Sequence, residues 1–201
     1  MINEMPEESP AERDEPRQRI LRAAVEVFLE KGYGGARVAD IADRAGYTGG
    51  ALYVHFPGRT ALLAEAIVME GRRLIADLLT ELGAVPVGEG VAEALAAQMC
   101  RPGSTLDRLI VEALALAARD PEAKSLLDAS FAELVAMVGD QLDDAREAGF
   151  IDPALDADAL RAVFTSWIFG LVVIRALGVQ QPEASATADV VRRMTVGLSP
   201  T

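Results

Sequence analysis

A short stretch of the chain, between positions 37 and 59, concentrates groups that bind phosphate and hydrogen-bond to the edges of bases. Arginine, histidine, tyrosine and threonine offer polar donors, and adjacent glycines let backbone N–H groups approach an anion closely. An alanine methyl group can also pack against the methyl group of a thymine. The residues with these properties are Arg37, Thr48, Gly49, Gly50, Ala51, Tyr53, His55 and Arg59. Their types predict phosphate contacts with sparse base readout.

Catalysis is a poor interpretation of the same sequence, because the usual partner groups are missing. His55 is the only histidine and Cys100 the only cysteine in 201 residues. A general base, a metal site or a cysteine nucleophile needs further groups beside it, and the sequence provides none nearby. We interpret His55 as a phosphate contact or a surface residue, and Cys100 as a structural or surface thiol. We expect no enzyme activity, no metal and no cofactor. Four aspartates are interpreted as solvated helix-end charge: Asp143, Asp144, Asp156 and Asp158.

Short helices must position the groups between 37 and 59. Apolar residues recur at helical spacing from Ile20, predicting a first helix over about 16–31 that ends at Gly32. A second helix is predicted from Val38 to Ala45, and a third over about 49–55. Gly46, Tyr47 and Thr48 form the tight turn between them, with Thr48 as N-cap. Two short helices joined by a glycine-containing turn are typical of a helix-turn-helix.

The remainder of the chain is also predicted to be helical, so the fold class is all-α. Apolar residues make up 51% of the sequence but aromatic residues only 5%, so the core must be built largely from Ala, Leu and Val. A long fourth helix is predicted over about 59–82, a loop over 83–90, and a fifth helix over about 91–100. Ser104 and Asp107 form a capping box for the sixth helix. Asp120 caps a seventh over about 121–148, followed by an eighth over about 157–177 and a ninth over about 186–197 with Ser185 as its cap.

Charge and composition suggest three regions. Residues 1–15 are acidic and rich in proline, and we expect them to be disordered. Residues 13–62 hold eight basic residues against six acidic ones, although the whole chain has a net charge of −12. The predicted domains are therefore the disordered segment 1–15, a DNA-binding domain at 16–62 and a second domain at 63–201. The single cysteine, the missing signal peptide and the lack of an 18-residue apolar run predict a cytoplasmic protein without a membrane span.

Residues 19–63 resemble the TetR (tetracycline-repressor-like) family of regulators. The resemblance is carried by the segments Arg19–Tyr33, Val38–Thr48, Gly50–Pro57 and Arg59–Leu63, in which glycine, aromatic and apolar positions agree in register. The chain departs from the family pattern in two places. Gly49 stands where a lysine commonly follows the turn, and Ala36-Arg37 stands where a serine or threonine often caps the second helix.

The resemblance implies an all-α fold of nine or so helices, in which the N-terminal and C-terminal helices have different functions. The N-terminal three-helix module would bind operator DNA, and the long helix 4 would join it to a C-terminal ligand-binding and dimerisation bundle. Helices 8 and 9, at about 157–197, would form a homodimer, and a small ligand would enter between helices 4 and 7. The resemblance thus favours a repressor that a hydrophobic or amphipathic effector releases from a palindromic operator.

The sequence offers a set of candidate pocket residues in the C-terminal half. Each of them is individually more typical of ordinary core or dimer interface. They are Met99, Leu114, Phe131, Met137, Phe164 and Trp167.

The alternative to a DNA-binding regulator is an interaction protein that keeps the helix-turn-helix scaffold without binding an operator. Gly49 and the net charge of −12 motivate this alternative. A salt-dependent DNA-binding measurement separates the two functions, because contacts to phosphate weaken as salt rises.

Overall fold

The computed structural model describes residues 10–83 and 91–196, and within these ranges the chain forms nine α-helices and no strand. The all-α fold class is therefore confirmed. The helices are α1 (Pro10–Gly35), α2 (Val38–Ala45), α3 (Gly49–His55), α4 (Arg59–Gly83), α5 (Val91–Met99), α6 (Thr105–Ala117), α7 (Pro121–Glu147), α8 (Ala157–Ala176) and α9 (Ala184–Val196).

The chain divides into two compact units, Met1–Ala66 and Ile67–Thr201, and the division falls within α4. In the first unit α1 packs on α2 and α2 on α3. In the second unit α5 packs on α9, while α6, α7 and α8 pack on one another. The domain boundary at 62/63 stays a prediction. Of the segment 1–15 that was expected to be disordered, residues 10–15 are helical in α1, and residues 1–9 lie outside the described part of the chain.

The first unit has an apolar core to which each of its helices contributes. Four side chains from three helices and the residue after α3 are fully buried: Ile20, Ile41, Leu52 and Phe56. Two glycines with positive φ angles interrupt or end the helices around this core. Gly32 has φ +67° inside α1 and breaks its helical geometry, and Gly46 has φ +78° after α2. Both helix ends were predicted from glycine's tolerance of the left-handed region.

Phe56 carries the largest fully buried side chain of this core, and Phe56→Ala is expected to destabilise the first unit strongly. Truncation of a buried phenylalanine leaves a cavity and costs about 3–5 kcal/mol. Urea unfolding followed by circular dichroism measures the change in the free energy of unfolding. The matched control is Val54→Ala, because the Val54 side chain is 82% exposed and its truncation should cost little. Equal losses in the two variants would contradict the assignment of Phe56 to the core.

The helix starts of the second unit follow the predicted caps. The Ser104 Oγ accepts from the Asp107 N–H at 3.1 Å, and the Asp107 Oδ2 accepts from the Ser104 N–H at 2.7 Å. The Asp120 carboxylate accepts from two backbone N–H groups at the start of α7. Each cap satisfies N–H groups that have no partner inside the helix.

The structure differs from the sequence prediction at the starts of α1 and α9. α1 begins at Pro10, six residues before the predicted start, because Pro10 can occupy a first turn and the residues that follow it include good helix formers; Pro16 lies inside the helix. α9 begins at Ala184, and Ser185 lies in its first turn instead of capping it. The Thr187 N–H donates to the Glu183 carbonyl at 3.1 Å, which fixes the earlier start. Of the loop predicted over 83–90, Gly83 is the last residue of α4 and residues 84–90 lie outside the described residues.

α8 is unusually apolar for a helix with so much exposed surface. An 18-residue window of it has a mean hydropathy of 1.6, and only 11% of that window is buried. By length and composition alone α8 is long and apolar enough to cross a membrane, although Thr165 and Ser166 interrupt its apolar run. The absence of a membrane span stays a prediction. Arg161 and Arg175 nevertheless bind carboxylates of α7 and α6.

Candidate nucleic-acid interface

The turn between α2 and α3 has well-defined backbone geometry. Gly46 leaves α2 in the left-handed conformation, and the Tyr47 N–H donates to the Ala42 carbonyl at 2.9 Å. Thr48 then adopts an extended conformation, and its Oγ1 accepts from the Ala51 N–H at 3.2 Å. The predicted N-cap is thus confirmed. Because the turn is closed by these hydrogen bonds, the start of α3 has a fixed direction relative to α2.

α3 has one buried side and one exposed side. Leu52 is fully buried, and so is Phe56, which follows the helix directly. Gly50 is exposed, the Tyr53 side chain is 57% exposed, and Gly49, Ala51 and His55 are half-buried. A Cβ atom built on Gly49 would meet nothing within 4 Å, and one built on Gly50 only the Thr48 Oγ1 at 3.9 Å. The N-terminal turn of α3 therefore presents nearly bare backbone to solvent, which suits close approach to an anion.

Arg37 lies at the start of α2 with an exposed side chain. Its backbone N–H donates to the Asp40 Oδ2 at 3.1 Å, which is the hydrogen bond that the third helical residue provides in a capping box. The Lys31 ammonium, 3.0 Å from Asp40, and then this N–H group lower the pKa of the Asp40 carboxyl. Asp40 therefore remains charged as the pH falls into the range where an aspartate ordinarily takes up a proton.

Ion pairs connect α2 to α1. The Arg44 guanidinium lies 2.9 Å from Glu26 and 2.8 Å from Glu30. Its hydrogen bonds lower the pKa of Glu30, and Glu30 and Glu26 together raise the pKa of Arg44. These groups are exposed, so each pair contributes little energy. They show that Arg44, although basic and within the helix-turn-helix, is already engaged with acidic groups of α1.

Two arginines of α1 were not singled out by sequence reasoning although the structure places them beside the helix-turn-helix. The Arg19 guanidinium lies over the Tyr47 ring at 5.8 Å from its centroid, and Arg17 over the Phe56 ring at 5.0 Å. Arg17 also forms an ion pair with Glu65. Arg19 is exposed at the turn that precedes α3, which makes it a candidate phosphate contact. The sequence signal was its position on the polar face of the first helix.

The Arg59 guanidinium makes contacts within the first unit, whereas the sequence predicted that it would contact phosphate. Its Nη1 donates to the Tyr33 carbonyl at 3.1 Å and to the Ala36 carbonyl at 2.5 Å, and its guanidinium stacks 4.5 Å from the centroid of the Tyr33 ring. The Tyr33 hydroxyl also lies 2.8 Å from the Thr60 Oγ1. These contacts join the start of α4 to the corner between α1 and α2. The phosphate contact of Arg59 stays a prediction.

Arg59→Met and Arg37→Met form a matched pair that separates an internal contact from a phosphate contact. Loss of the Arg59 hydrogen bonds is expected to lower the free energy of unfolding by about 1–3 kcal/mol. A lost phosphate contact instead reduces the slope of log affinity against log salt by about 1 per site. We expect Arg59→Met to change stability but not the slope, and Arg37→Met to change the slope but not stability. The reverse pattern would make Arg59 a phosphate contact.

The candidate pocket residues of the second unit do not gather at one site. Met99 and Trp167 contribute to the wall of one cavity, whereas Phe131 stacks on Phe169 with ring centroids 6.1 Å apart. Phe164 packs against Trp167 at 5.8 Å, and Leu114 is 39% exposed. Met137 is half-buried on α7. Within the described residues, no three His, Cys, Asp or Glu side chains converge in a way that could hold a metal ion.

The first unit contains a short helix, a glycine turn and a capped second helix, with exposed basic groups around it. These features define a DNA-binding module of the helix-turn-helix class. Comparison with known proteins agrees with this class. Residues 20–66 match the family described as bacterial regulatory proteins, tetR family. Over 91 residues the chain is 37% identical to the HTH-type transcriptional regulator TtgW of Pseudomonas putida, a match that covers 45% of this chain and 68% of TtgW. The chain belongs to the TetR family of transcriptional regulators.

Two further comparisons show how far the similarity extends. The chain is 37% identical over 91 residues to the HTH-type transcriptional regulator SrpR of Pseudomonas putida, a match that covers 45% of this chain and 43% of SrpR. The solved structure of Salmonella enterica GusR superposes with a TM-score of 0.64 at 25% identity, over 92% of this chain and 95% of that one. Sequence similarity to SrpR is thus confined to part of the chain, whereas the similarity of fold to GusR covers most of it.

Proposed function

We propose that the chain is a homodimeric repressor that binds a palindromic operator and leaves it when a small, mostly apolar effector binds. The observation that carries the DNA-binding part is the exposed, side-chain-poor start of α3, held in place by fully buried Leu52 and Phe56. In helix-turn-helix proteins the N-terminal residues of this second helix approach base edges in the major groove. Family membership supports the same role for α3.

The proposed DNA contacts divide into readers and positioning groups. Gly49, Gly50 and Ala51 would bring the α3 backbone and one methyl group to the groove, which gives little base discrimination. Phosphate contacts would come from the side chains around them, which fix the register of the protein on DNA. These are Arg37, Thr48, Tyr53 and His55, with Arg19 added from the structure and Arg59 left to the test above.

A single α3 helix contacts too few bases to specify a site, so the proposal includes a dimer. Two copies related by a two-fold axis would read two half-sites about one helical turn apart. α8 leaves Val163 and Val173 exposed at 65% and 44%, and Leu177, which directly follows α8, is 73% exposed. α9 leaves Val190 and Met194 exposed at 57% and 62%. Apolar residues exposed on these two consecutive helices are typical of surfaces that another protein covers, and we propose that α8 and α9 of a second copy cover them.

The release step rests on α4, which begins in the first compact unit and ends in the second. At about 1.5 Å per residue, its 25 residues span about 37 Å. We propose that the effector shifts α4, changes the separation of the two α3 helices in the dimer and so mismatches them to the half-sites. An effector that tightened operator binding would contradict this mechanism.

Gel retardation with DNA from the protein's own promoter region tests the proposed function. The complex should survive excess unrelated DNA, and its affinity should fall linearly on a plot of log affinity against log salt. A series of truncated and scrambled duplexes should trace the binding to an inverted repeat. If no nearby DNA is retained at low salt, the chain is an interaction protein on a helix-turn-helix scaffold and the proposal is wrong.

A further inference from the structure

Val54 lies on the side of α3 that faces directly away from the core. Each residue turns an α-helix by about 100°, so residues two positions before and after a buried one lie opposite it. Leu52 is fully buried, and the residues two positions before and after it are Gly50 and Val54. Gly50 and Val54 are four positions apart, so they share one face of the helix. The outermost face of α3 therefore consists of a glycine followed, one turn later, by a valine.

The Val54 side chain is 82% exposed, a larger fraction than for any other large apolar side chain in the described residues. Helix stability does not account for a valine here, because a branched side chain loses rotamer freedom in a helix. A single exposed valine is common on protein surfaces. What distinguishes Val54 is its place on the face that begins with the bare backbone at Gly50. No acidic residue lies within Gly49–His55, so no charge on α3 repels DNA from this face.

Between the start of α3 and Val54, the same face has no side chain. A Cβ atom on Gly50 would meet only the Thr48 Oγ1 at 3.9 Å, so the preceding turn presents backbone alone. A surface that approaches this backbone closely also meets the methyl groups of Val54. Those methyl groups have a nearly fixed direction, because valine in a helix has one strongly preferred rotamer. A contact through Val54 therefore costs little side-chain entropy.

The edges of the DNA bases in the major groove differ in one apolar group. Guanine, cytosine and adenine present hydrogen-bond donors or acceptors there, whereas thymine also presents a C5-methyl group. An apolar side chain cannot bind a donor or acceptor, and covering such a group removes its water without replacement. Against the thymine methyl group, the same side chain removes two apolar surfaces from water. A valine on this face of α3 thus favours thymine over the other bases.

We infer that Val54 is a specificity-determining residue, which packs against the C5-methyl group of one thymine in each half-site of the operator. The inference rests on the proposed function, because it needs α3 in the major groove. It also deepens that function, since the glycines and Ala51 bring only backbone and a single methyl group to the bases. Val54 adds a second apolar contact about 6 Å further along α3 than Gly50. A symmetric dimer repeats the contact once in each half-site.

Replacement of thymine by uracil in the operator tests this contact, because it removes the C5-methyl group and keeps every hydrogen-bonding group. The probe is the shortest duplex from the protein's own promoter region that gel retardation retains, with its thymines replaced one symmetric pair at a time. At one pair of positions, uracil should weaken binding of the full-length chain by about 15-fold. This loss is about fourfold per half-site, which corresponds to one buried methyl group in each.

Val54→Ala identifies the thymine that the side chain contacts. This variant should bind the unmodified operator about 15-fold more weakly. Uracil at the contacted pair should then cost it no more than about twofold, whereas a thymine that Ala51 contacts should keep its full uracil effect, because independent sites add. The variant should remain folded, since the side chain is exposed and alanine favours a helix. Thermal unfolding checks this.

The matched control is Tyr53→Phe, the neighbouring position on α3, where the side chain is 57% exposed. It removes a hydroxyl group that we propose to contact phosphate, and phosphate contacts carry no sequence information. Tyr53→Phe should therefore weaken binding to the thymine and uracil duplexes by the same factor. The pair of variants thus separates base readout from a general loss of affinity.

Two outcomes would overturn the inference while operator binding stands. The first is a uracil effect at every thymine that is the same in Val54→Ala as in the unmodified chain. The second is Val54→Ala that binds the operator as tightly as the unmodified chain. Either result refutes the role of Val54 alone. If no promoter DNA is retained at low salt, the proposed function is wrong and the role of Val54 is wrong with it.

Discussion

Val173→Glu is expected to convert the dimer into monomers and to weaken operator binding by at least about 100-fold. The Val173 side chain is 44% exposed on the apolar surface of α8, so the glutamate can be solvated in the monomer and the fold should survive. In the dimer the same charge would be buried without a partner, which is strongly unfavourable. Loss of the second half-site removes an avidity of about 10²–10⁴. Light scattering gives the mass, and gel retardation gives the affinity.

Leu126→Glu is the matched control for this variant. Leu126 is 50% exposed on α7 and lies on neither α8 nor α9. It should therefore remain dimeric and bind DNA normally, with an unchanged unfolding temperature. Dimeric Val173→Glu with normal DNA affinity would place the interface elsewhere. Monomeric Leu126→Glu would extend the interface to α7.

The second large effect is expected at the start of α3, where Gly50→Glu should abolish operator binding while leaving the fold at least as stable. A glutamate has a better helix propensity than glycine, and an acid near a helix N-terminus is favourable, so stability should rise by up to about 1 kcal/mol. A Cβ atom at this position meets only the Thr48 Oγ1 at 3.9 Å. Against DNA phosphates the same charge is repelled, and like charges in an interface cost several kcal/mol. Affinity should fall by at least about 100-fold.

Gly50→Lys separates charge from bulk at the same position. A lysine occupies similar space but attracts phosphate, so it should retain binding with a steeper dependence on salt. If both variants lose binding equally, the loss comes from the size of the new side chain and not from its charge. That result would support a close approach of the bare α3 backbone to DNA at Gly50. If Gly50→Glu binds normally, α3 does not face DNA.

The helix-turn-helix could be predicted from sequence because local chemistry determines it. Gly46 ends α2 since only glycine adopts its φ of +78° at little cost, and Thr48 caps α3 with its own side chain. Both features depend on residues within four positions. The buried side of α3 followed from the spacing of Leu52 and Phe56.

The environment of Arg59 could not be predicted, because its partners lie far away in the sequence. Tyr33 and Ala36 are more than twenty residues from Arg59, and the carbonyl groups that Arg59 binds are present in any residue type. A basic residue at a helix start therefore suggested a phosphate contact. The aromatic ring of Tyr33 was the one available signal, since arginine stacks on such rings.

Which of the candidate pocket residues lie together could not be predicted from the sequence either. Met99 and Trp167 meet in one cavity and Phe164 packs against Trp167, whereas Phe131 stacks on Phe169, because the grouping depends on helix crossing and not on residue type. At Gly71 the absence of a side chain lets the α4 backbone approach the Leu134 side chain of α7 closely. A glycine inside a long amphipathic helix was the available signal of such close packing.

A hydroxyl-radical footprint of the purified chain on DNA from its own promoter region tests the central claim most directly. The account predicts two symmetric protected patches whose centres lie about 10 base pairs, or a multiple of that, apart. The protection should disappear with Gly50→Glu and persist with Leu126→Glu. A uniform or absent footprint at low salt, with a folded and dimeric protein, would contradict the claim that this chain is an operator-binding regulator.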